Sequence, residues 1–140
     1  MINRFNIRVY AAVVKDRQVL ALFEEYAGDL LIKLPGGGLE FGEGTIECLK
    51  REFMEELNLK ISKLEHFYTQ EDFLVSRFRE NEQLLTVYYL AELEDEKDLL
   101  IMDPCIEKVE WLSLDLEENP FPLPIDQVVF KKLQERFAKG

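Results

Sequence analysis

The stretch that decides the fold runs from Gly37 to Leu59 and has the sequence GGLEFGEGTIECLKREFMEELNL. After the glycines, apolar residues recur at helical spacing, which predicts a helix from Thr45 to Leu57. At 100° per residue, Glu55 and Glu56 lie within about 60° of Glu52 around the helix axis. The three carboxylates therefore share one face, next to an apolar stripe that packs into the protein. That stripe consists of Ile46, Leu49, Phe53 and Leu57.

Carboxylates at i,i+4 spacing repel each other and destabilise a helix by roughly 0.2–0.5 kcal/mol per pair. A hard divalent cation such as Mg²⁺ or Mn²⁺ would offset this repulsion, because these ions prefer carboxylate oxygens. The alternative is an acidic face exposed to water, and the three glutamates alone do not decide between the two. The glycine run before the helix and Arg51 within it favour the metal site.

This stretch resembles the Nudix box, whose pattern is Gly, five residues, Glu, seven residues, then Arg-Glu-apolar-x-Glu-Glu-x-Gly-apolar. Gly37 matches the opening Gly, Glu43 the first Glu, and residues 51–56 (REFMEE) the central block. Asn58 stands where the family has Gly. Asn is the non-glycine residue that best adopts the left-handed conformation expected after the helix. The chain is therefore identified as a member of the Nudix hydrolase family, of the MutT-like type.

The order of predicted elements agrees with the fold that the resemblance implies, an α/β/α sandwich with a mixed central sheet. Extended segments are predicted at 7–14, 18–24, 30–34, 59–64, 66–75, 84–93 and 109–112. A second helix is predicted at 125–137, Gly36 to Gly44 is expected to be a loop, and Thr45 is expected to be the N-cap of the first helix. The 140 residues, 47% of them hydrophobic, suit a single Nudix domain over residues 1–140.

The resemblance implies a metal-dependent enzyme that hydrolyses a phosphoanhydride bond in a substrate containing a nucleoside diphosphate. The implied cofactor is Mg²⁺, with Mn²⁺ as an alternative. The implied metal ligands are Gly36 (through its carbonyl), Glu43, Glu52, Glu55 and Glu56. The implied catalytic group is Arg51, Glu52 and Glu55: Glu52 acts as ligand or general base, and Arg51 orients Glu52 or Glu55. Gly37 and Gly38 are expected to let the backbone approach the substrate phosphates.

Other residues outside this central block need a choice between a functional and a structural role. Many relatives place a further catalytic acid before the late strand, where Glu107 and Asp103 stand; surface charge is the alternative for both. Asp126 lies in FPLPIDQVVFKKL, which resembles the base-reading stretch of MutT-type enzymes; it is expected either to bind the substrate base or to cap the last helix. Cys48 is interpreted as a small residue packed beneath the glycine loop rather than a ligand for a softer metal. Glu40 is expected to have a structural role in the loop.

Markers of other Nudix subfamilies are missing downstream of the box, which favours a nucleoside triphosphate pyrophosphohydrolase. Positions 73–75 lack the Pro that accompanies ADP-ribose hydrolysis, and positions 76–78 lack the Tyr that accompanies dinucleoside polyphosphate hydrolysis. The alternative is a Nudix-fold nucleotide-binding regulator or interaction module without turnover. The full set of acids at Glu43, Glu52, Glu55 and Glu56 argues against that alternative.

Composition limits the partners and the compartment. A formal net charge of −11 argues against a nucleic-acid partner, which would require a basic surface. No apolar run approaches the ~20 residues of a membrane span. Two cysteines without paired spacing and an N-terminus without a signal-peptide pattern predict a cytoplasmic protein. The expected partner is a small nucleotide.

Overall fold

A computed structural model of the chain describes residues 1–138, apart from the side chain of Tyr26. Within these residues the α-helices and strands, in chain order, are β1 (Arg4–Lys15), β2 (Gln18–Tyr26), β3 (Asp29–Lys33), β4 (Gly36–Gly38), α1 (Thr45–Leu57), β5 (Ile61–Thr69), β6 (Glu82–Leu93), β7 (Ile106–Ser113) and α2 (Pro124–Arg136). No helix in this part of the chain is long and apolar enough to cross a membrane.

The strands form one mixed sheet in the order β3-β2-β1-β6-β5, with β4 paired to β1 and β7 paired to β2. β1 and β6 run parallel, from Arg4 opposite Glu82 to Val13 opposite Ala91. The other pairs are antiparallel. Side chains alternate between the two faces of a strand, so β1 contributes its odd-numbered residues to one face of the sheet and its even-numbered residues to the other.

Two apolar cores, one on each face of the sheet, hold the helices. The core under α1 is built from Val9, Ala11, Leu20, Leu22, Leu49, Phe53 and Leu57 among others. The core under α2 is built from Ala12, Val19, Ala21, Tyr88, Val129, Phe130 and Leu133 among others. Each fully buried Leu or Phe side chain contributes about 1.5–3 kcal/mol of transfer free energy. The α/β/α sandwich with a mixed central sheet is therefore confirmed.

The run from Gly36 to Gly38 was wrongly predicted to be only a loop. It forms the short strand β4, in which Gly36, Gly37 and Gly38 lie opposite Tyr10, Val9 and Arg8 of β1. Backbone bonds continue this pairing at both ends, from Ala11 N to Pro35 O and from Leu39 N to Ile7 O. The glycines allow the backbone to lie this close to its neighbours, and long-range pairing of this kind leaves no local sequence signal.

The bounds predicted for α1 are confirmed, but the predicted N-cap is wrong. Gly44 is the N-cap, and its N–H donates to the Glu47 carboxylate at 2.9 Å. The Thr45 hydroxyl instead shares a hydrogen bond of 2.6 Å with the Tyr89 hydroxyl. At the other end, Asn58 adopts φ 57° and ψ 34°, the left-handed conformation predicted for it.

Two smaller expectations also differ from the structure. β5 ends at Thr69, and residues 70–75 contribute only an isolated bridge between Val75 and Gln83. The Gln70 side chain donates to Leu84 O at 3.2 Å and accepts from Thr86 N at 3.1 Å, and the Gln70 backbone N–H also donates to Thr86 O at 2.9 Å, so side-chain and backbone bonds together hold this segment to β6. Ile46 is 41% exposed, and the apolar stripe of α1 is correspondingly narrower than predicted.

Candidate active site

The glycine strand β4 lies directly against the acidic face of α1. Gly36 N donates to Glu56 Oε1 at 3.1 Å. A Cβ added to Gly37 would lie 2.6–2.8 Å from the carboxylate atoms of Glu52, and one added to Gly36, whose φ is +146°, would lie 2.1 Å from Val9 O. Gly36 therefore requires glycine, because a side chain there would meet the backbone of β1, whereas a side chain at Gly37 would displace the Glu52 carboxylate.

Arg51 ties the acidic residues to each other and to the glycine strand. Its Nε and Nη2 donate to the two oxygens of Glu43 at 3.0 and 2.7 Å. Its Nη1 donates to Glu52 at 2.8 Å and to Glu55 at 3.1 Å, and Nη2 also donates to Gly38 O at 3.1 Å. Arg51 thus contacts both of the glutamates that it was expected to orient. Its hydrogen bonds lower the pKa of Glu43 to about 2.

Burial disfavours the ionised forms of Glu56 and Glu52. Glu56 is 6% exposed, and no Lys, Arg or His nitrogen of the described residues lies within 4 Å of its carboxylate. Burial raises the pKa of Glu56 to about 8, against an opposing effect of Lys33. Burial also raises the pKa of Glu52, against the hydrogen bond from Arg51. An added cation would stabilise the ionised forms of both carboxylates.

The donor set fits a hard divalent cation. We refer to Glu43, Glu52, Glu55 and Glu56 as the box glutamates; they supply carboxylate oxygens only, the ligands that Mg²⁺ and Mn²⁺ prefer. In the conformation of residues 1–138, no three His, Cys, Asp or Glu side chains converge as a ligand set. Instead, Arg51 forms ion pairs with three of the box glutamates, Glu43, Glu52 and Glu55. A cation would compete with Arg51 for them.

Cys48 packs beneath the glycine strand, as its structural interpretation predicted. It is fully buried, and its Sγ lies 3.6 Å from Gly38 O. Burial raises the pKa of the thiol to about 12, so the thiol stays protonated near neutral pH. A protonated thiol is a poor ligand for soft metals, and the packing role is sufficient to explain Cys48.

On the other face of the sheet, beside the N-terminus of α2, lies a cavity of about 480 Å³. Asp126 is part of its wall and is 5% exposed. One oxygen of Asp126 accepts a hydrogen bond of 2.5 Å from the Tyr88 hydroxyl, and burial raises its pKa to about 6. The N-cap of α2 is Leu123. Asp126 is therefore not the N-cap; it lies in the first turn of α2 and lines this cavity, and its role in base binding stays a prediction.

Two cations of the cavity wall were missed by the sequence analysis. Lys33 pairs with Glu24 at 3.1 Å, and Arg8 donates from Nε to the Tyr10 hydroxyl at 2.6 Å; all four residues line the cavity. The available signal was a charged residue, Arg8, inside the apolar run IRVYAAVV. A buried strand includes such a residue only where one of its faces meets a polar cavity or a partner.

The structure does not join the two candidate acids of the late strand to the box glutamates by any described hydrogen bond or ion pair. Glu107 is exposed on β7. The Asp103 carboxylate accepts from Cys105 N at 2.9 Å within its own turn. The assignment of Glu107 as a further acid stays a prediction. Glu40 lies 3.8 Å from Arg51, at the rim of the same network, where a structural role was expected.

The family model described as the NUDIX domain matches residues 4–133, and the chain belongs to this family. A MutT NUDIX hydrolase from Burkholderia pseudomallei superposes with a TM-score of 0.78 at 20% identity, over 93% of this chain and 98% of that one. A MutT protein from Bacillus halodurans gives 0.70 at 26% identity, over 90% and 80%. The NUDIX domain of Shewanella oneidensis NrtR, solved with ADP ribose, gives 0.68 at 19% identity, over 99% and 90%.

Membership of this family makes the protein a Nudix hydrolase. The family generally uses divalent metal cations to hydrolyse derivatives of nucleoside diphosphates. At these levels of identity the individual structures share the fold with this chain, and the substrate has to be argued from its own residues.

Proposed function

We propose that this protein is a metal-dependent nucleoside triphosphate pyrophosphohydrolase, built as one Nudix domain. The observation that supports the proposal is electrostatic: two cations of the cavity wall lie close enough to the box glutamates to act on their ionisation. Arg8 and Lys33 line the cavity, and the same two cations favour the ionised forms of Glu52 and Glu56, respectively. We therefore place the nucleoside in the cavity and the phosphates between these cations and the acidic face.

At the acidic face, the box glutamates and the carbonyl of Gly36 would hold Mg²⁺, with Mn²⁺ as the alternative. The cation would neutralise phosphate charge and lower the pKa of a bound water. Glu52 is the proposed base or ligand: its raised pKa brings it closer to the value that a base needs near neutral pH. Arg51 fixes the orientation of Glu52 and Glu55 through its hydrogen bonds to them, and the backbone of Gly37 and Gly38 is the proposed contact for the substrate phosphates.

At the other end of the cavity, Asp126 is the proposed residue that distinguishes bases. Tyr88 holds one of its carboxylate oxygens, which fixes the side chain in place. The second oxygen is then available to accept a hydrogen bond from an exocyclic amino group. A base without that group would leave a buried acceptor unpaired, which costs about 1–3 kcal/mol. We therefore expect bases that carry an amino group to be preferred over uracil.

The alternative function is a nucleotide-binding regulator or interaction module without turnover. The NUDIX domain of Shewanella oneidensis NrtR binds ADP ribose in its crystal, which makes ADP-ribose a necessary member of any ligand panel. The complete set of box glutamates, two of them with raised pKa values, favours catalysis. The net charge of −11 favours a small-molecule partner over nucleic acid, and the cysteine content favours the cytoplasm.

A product-release screen tests this proposal. The purified protein is incubated with nucleoside and deoxynucleoside triphosphates, nucleotide sugars, ADP-ribose and dinucleoside polyphosphates, with Mg²⁺ or with Mn²⁺. Phosphate is measured with and without added inorganic pyrophosphatase, so that pyrophosphate release is distinguished from phosphate release. We expect pyrophosphate from triphosphates. Binding of a ligand without release of any product would support the alternative, and turnover of only ADP-ribose or dinucleotides would contradict the substrate assignment.

A further inference from the structure

Four cations line the cavity on the α2 face, and they differ in how their charge is compensated. Lys33 lies 3.1 Å from Glu24, and Arg77 lies 2.9 Å from Asp29. Among residues 1–138, no carboxylate lies within 4 Å of the guanidinium groups of Arg8 or Arg79. Arg79 is exposed, whereas Arg8 is half-buried. Arg8 is therefore the cation of the cavity wall that is withdrawn from water without an acidic partner.

The donors of Arg8 are positioned but largely unused. Its Nε donates to the Tyr10 hydroxyl at 2.6 Å, which fixes the plane of the guanidinium. No described residue accepts a hydrogen bond from Nη1 or Nη2. A fixed guanidinium with two free terminal nitrogens is the arrangement that binds phosphate oxygens in a bidentate manner.

The position of Arg8 between the two ends of the cavity indicates which group it would meet. At one end, Asp126 bonds to Tyr88, whose ring lies 5.6 Å from that of Tyr10. Tyr10 in turn bonds to Arg8. At the other end, Arg8 lies opposite Gly38 in the sheet, and its Nη1 is 3.7 Å from the place where a Cβ of Gly38 would be. Contacts thus run from Asp126 through Arg8 to the strand that borders Glu52.

We infer that Arg8 binds the phosphate group nearest to the nucleoside of the substrate, through Nη1 and Nη2. The inference rests on the proposed function, because it needs a nucleotide that spans from Asp126 to the box glutamates. It adds a substrate-binding residue outside the box, one that recognises a nucleoside phosphate rather than the base. The alternative is that Arg8 only compensates the charges of Glu24 and Glu52, both of which favour its ionised form.

The test measures binding without metal and without turnover. Isothermal titration calorimetry in EDTA compares adenosine, guanosine and cytidine with their monophosphates on the wild type, Arg8→Gln and Arg8→Lys. Arg136→Gln is the matched control, because Arg136 pairs with the exposed Glu65 at 3.0 Å and does not line the cavity. Thermal melts of each variant establish that the protein is folded at the titration temperature.

We expect the wild type to bind at least one monophosphate more tightly than its nucleoside. Arg8→Gln should lower the affinity for that monophosphate by about tenfold to a hundredfold, the range for charged hydrogen bonds, and leave the affinity for the nucleoside unchanged. The affinity of Arg8→Lys for the monophosphate should lie between these two values, because Lys keeps the positive charge but cannot donate from two terminal nitrogens. Arg136→Gln should match the wild type.

Three results would overturn the inference. The first is equal affinity of the wild type and Arg8→Gln for the monophosphate. The second is an equal loss of affinity for the monophosphate and for the nucleoside in Arg8→Gln. The third is that the wild type binds no monophosphate. A protein that binds monophosphates through Arg8 but hydrolyses no nucleotide would instead contradict the proposed function and leave the inference standing. Turnover of triphosphates, together with an unchanged affinity of Arg8→Gln for the monophosphate, would support the proposed function and contradict the inference.

Discussion

Replacing Glu56 with Gln should change how stability of the metal-free protein depends on pH. Glu56 is buried with one backbone hydrogen bond, from Gly36, and its pKa is raised from 4.5 to about 8. The folded protein therefore holds this proton more tightly than the unfolded chain does. The stability that Glu56 contributes is complete below about pH 4.5, decreases as pH rises, and is lost above about pH 8.

The size of the effect follows from the pKa difference. A shift from 4.5 to about 8, at about 1.4 kcal/mol per pKa unit, corresponds to about 5 kcal/mol above pH 8 and to about 3 kcal/mol at pH 7. For a domain of 140 residues, 3 kcal/mol corresponds to roughly 10 °C in melting temperature. Gln has nearly the same shape, stays neutral at every pH, and can still accept from Gly36 N.

The assay is a series of thermal melts from about pH 5 to about pH 8 in EDTA. Relative to the wild type, Glu56→Gln should gain stability steadily as pH rises. Glu55→Gln, a change at an exposed side chain of the same helix, is the matched control. Excess Mg²⁺ should raise the wild-type melting temperature most at high pH and raise that of Glu56→Gln less. A constant difference between wild type and Glu56→Gln across this pH range would refute the reasoning.

Four further changes test the site and its frame. Gly37→Ala should abolish measurable turnover in the pyrophosphate assay, because its Cβ would lie 2.6 Å from the Glu52 carboxylate and displace it; retained activity would show that the position of this carboxylate is not critical. Glu55→Gln should lower kcat/KM more than tenfold, which is about 1.4 kcal/mol of transition-state stabilisation. A smaller loss would contradict the assignment of Glu55 as a metal ligand. In chemical denaturation, Asn58→Val should be about 1–3 kcal/mol less stable than Asn58→Gly, since only glycine adopts a positive φ without strain; equal stabilities would contradict the left-handed C-cap. Asp126→Ala should reduce the preference for amino-bearing bases over uracil in kcat/KM, whereas an unchanged ranking with a lower melting temperature would assign Asp126 to the fold alone.

Local sequence signals predicted the parts of the fold that depend on local physics. The helix from Thr45 to Leu57 follows from its apolar periodicity, and its end follows from the tolerance of Asn58 for the left-handed region. The interpretation of Cys48 as a small residue packed beneath the glycines agrees with its burial against Gly38. These features are set by neighbours a few residues away.

Features set by distant contacts were not predicted. The pairing of Gly36 to Gly38 with β1 depends on residues nearly 30 positions away, and the glycine pattern is equally typical of a loop. At the early end of β5, Gln70 bonds to β6 through both its side chain and its backbone. The cavity that gives Arg8 a role exists only once β1, β6 and the start of α2 are assembled.

The most direct test of the account is pyrophosphate release from nucleoside triphosphates by the wild type and by Glu52→Gln, over a titration of Mg²⁺ with EDTA as the blank. Glu52 lies against Gly37 and bonds to Arg51, at the point where the strand and the acidic face meet. We expect release from the wild type only when Mg²⁺ is present, and at least a hundredfold lower rate from Glu52→Gln at every concentration, a loss of about 2.7 kcal/mol. Release in EDTA, or equal rates for the two proteins, would contradict the account.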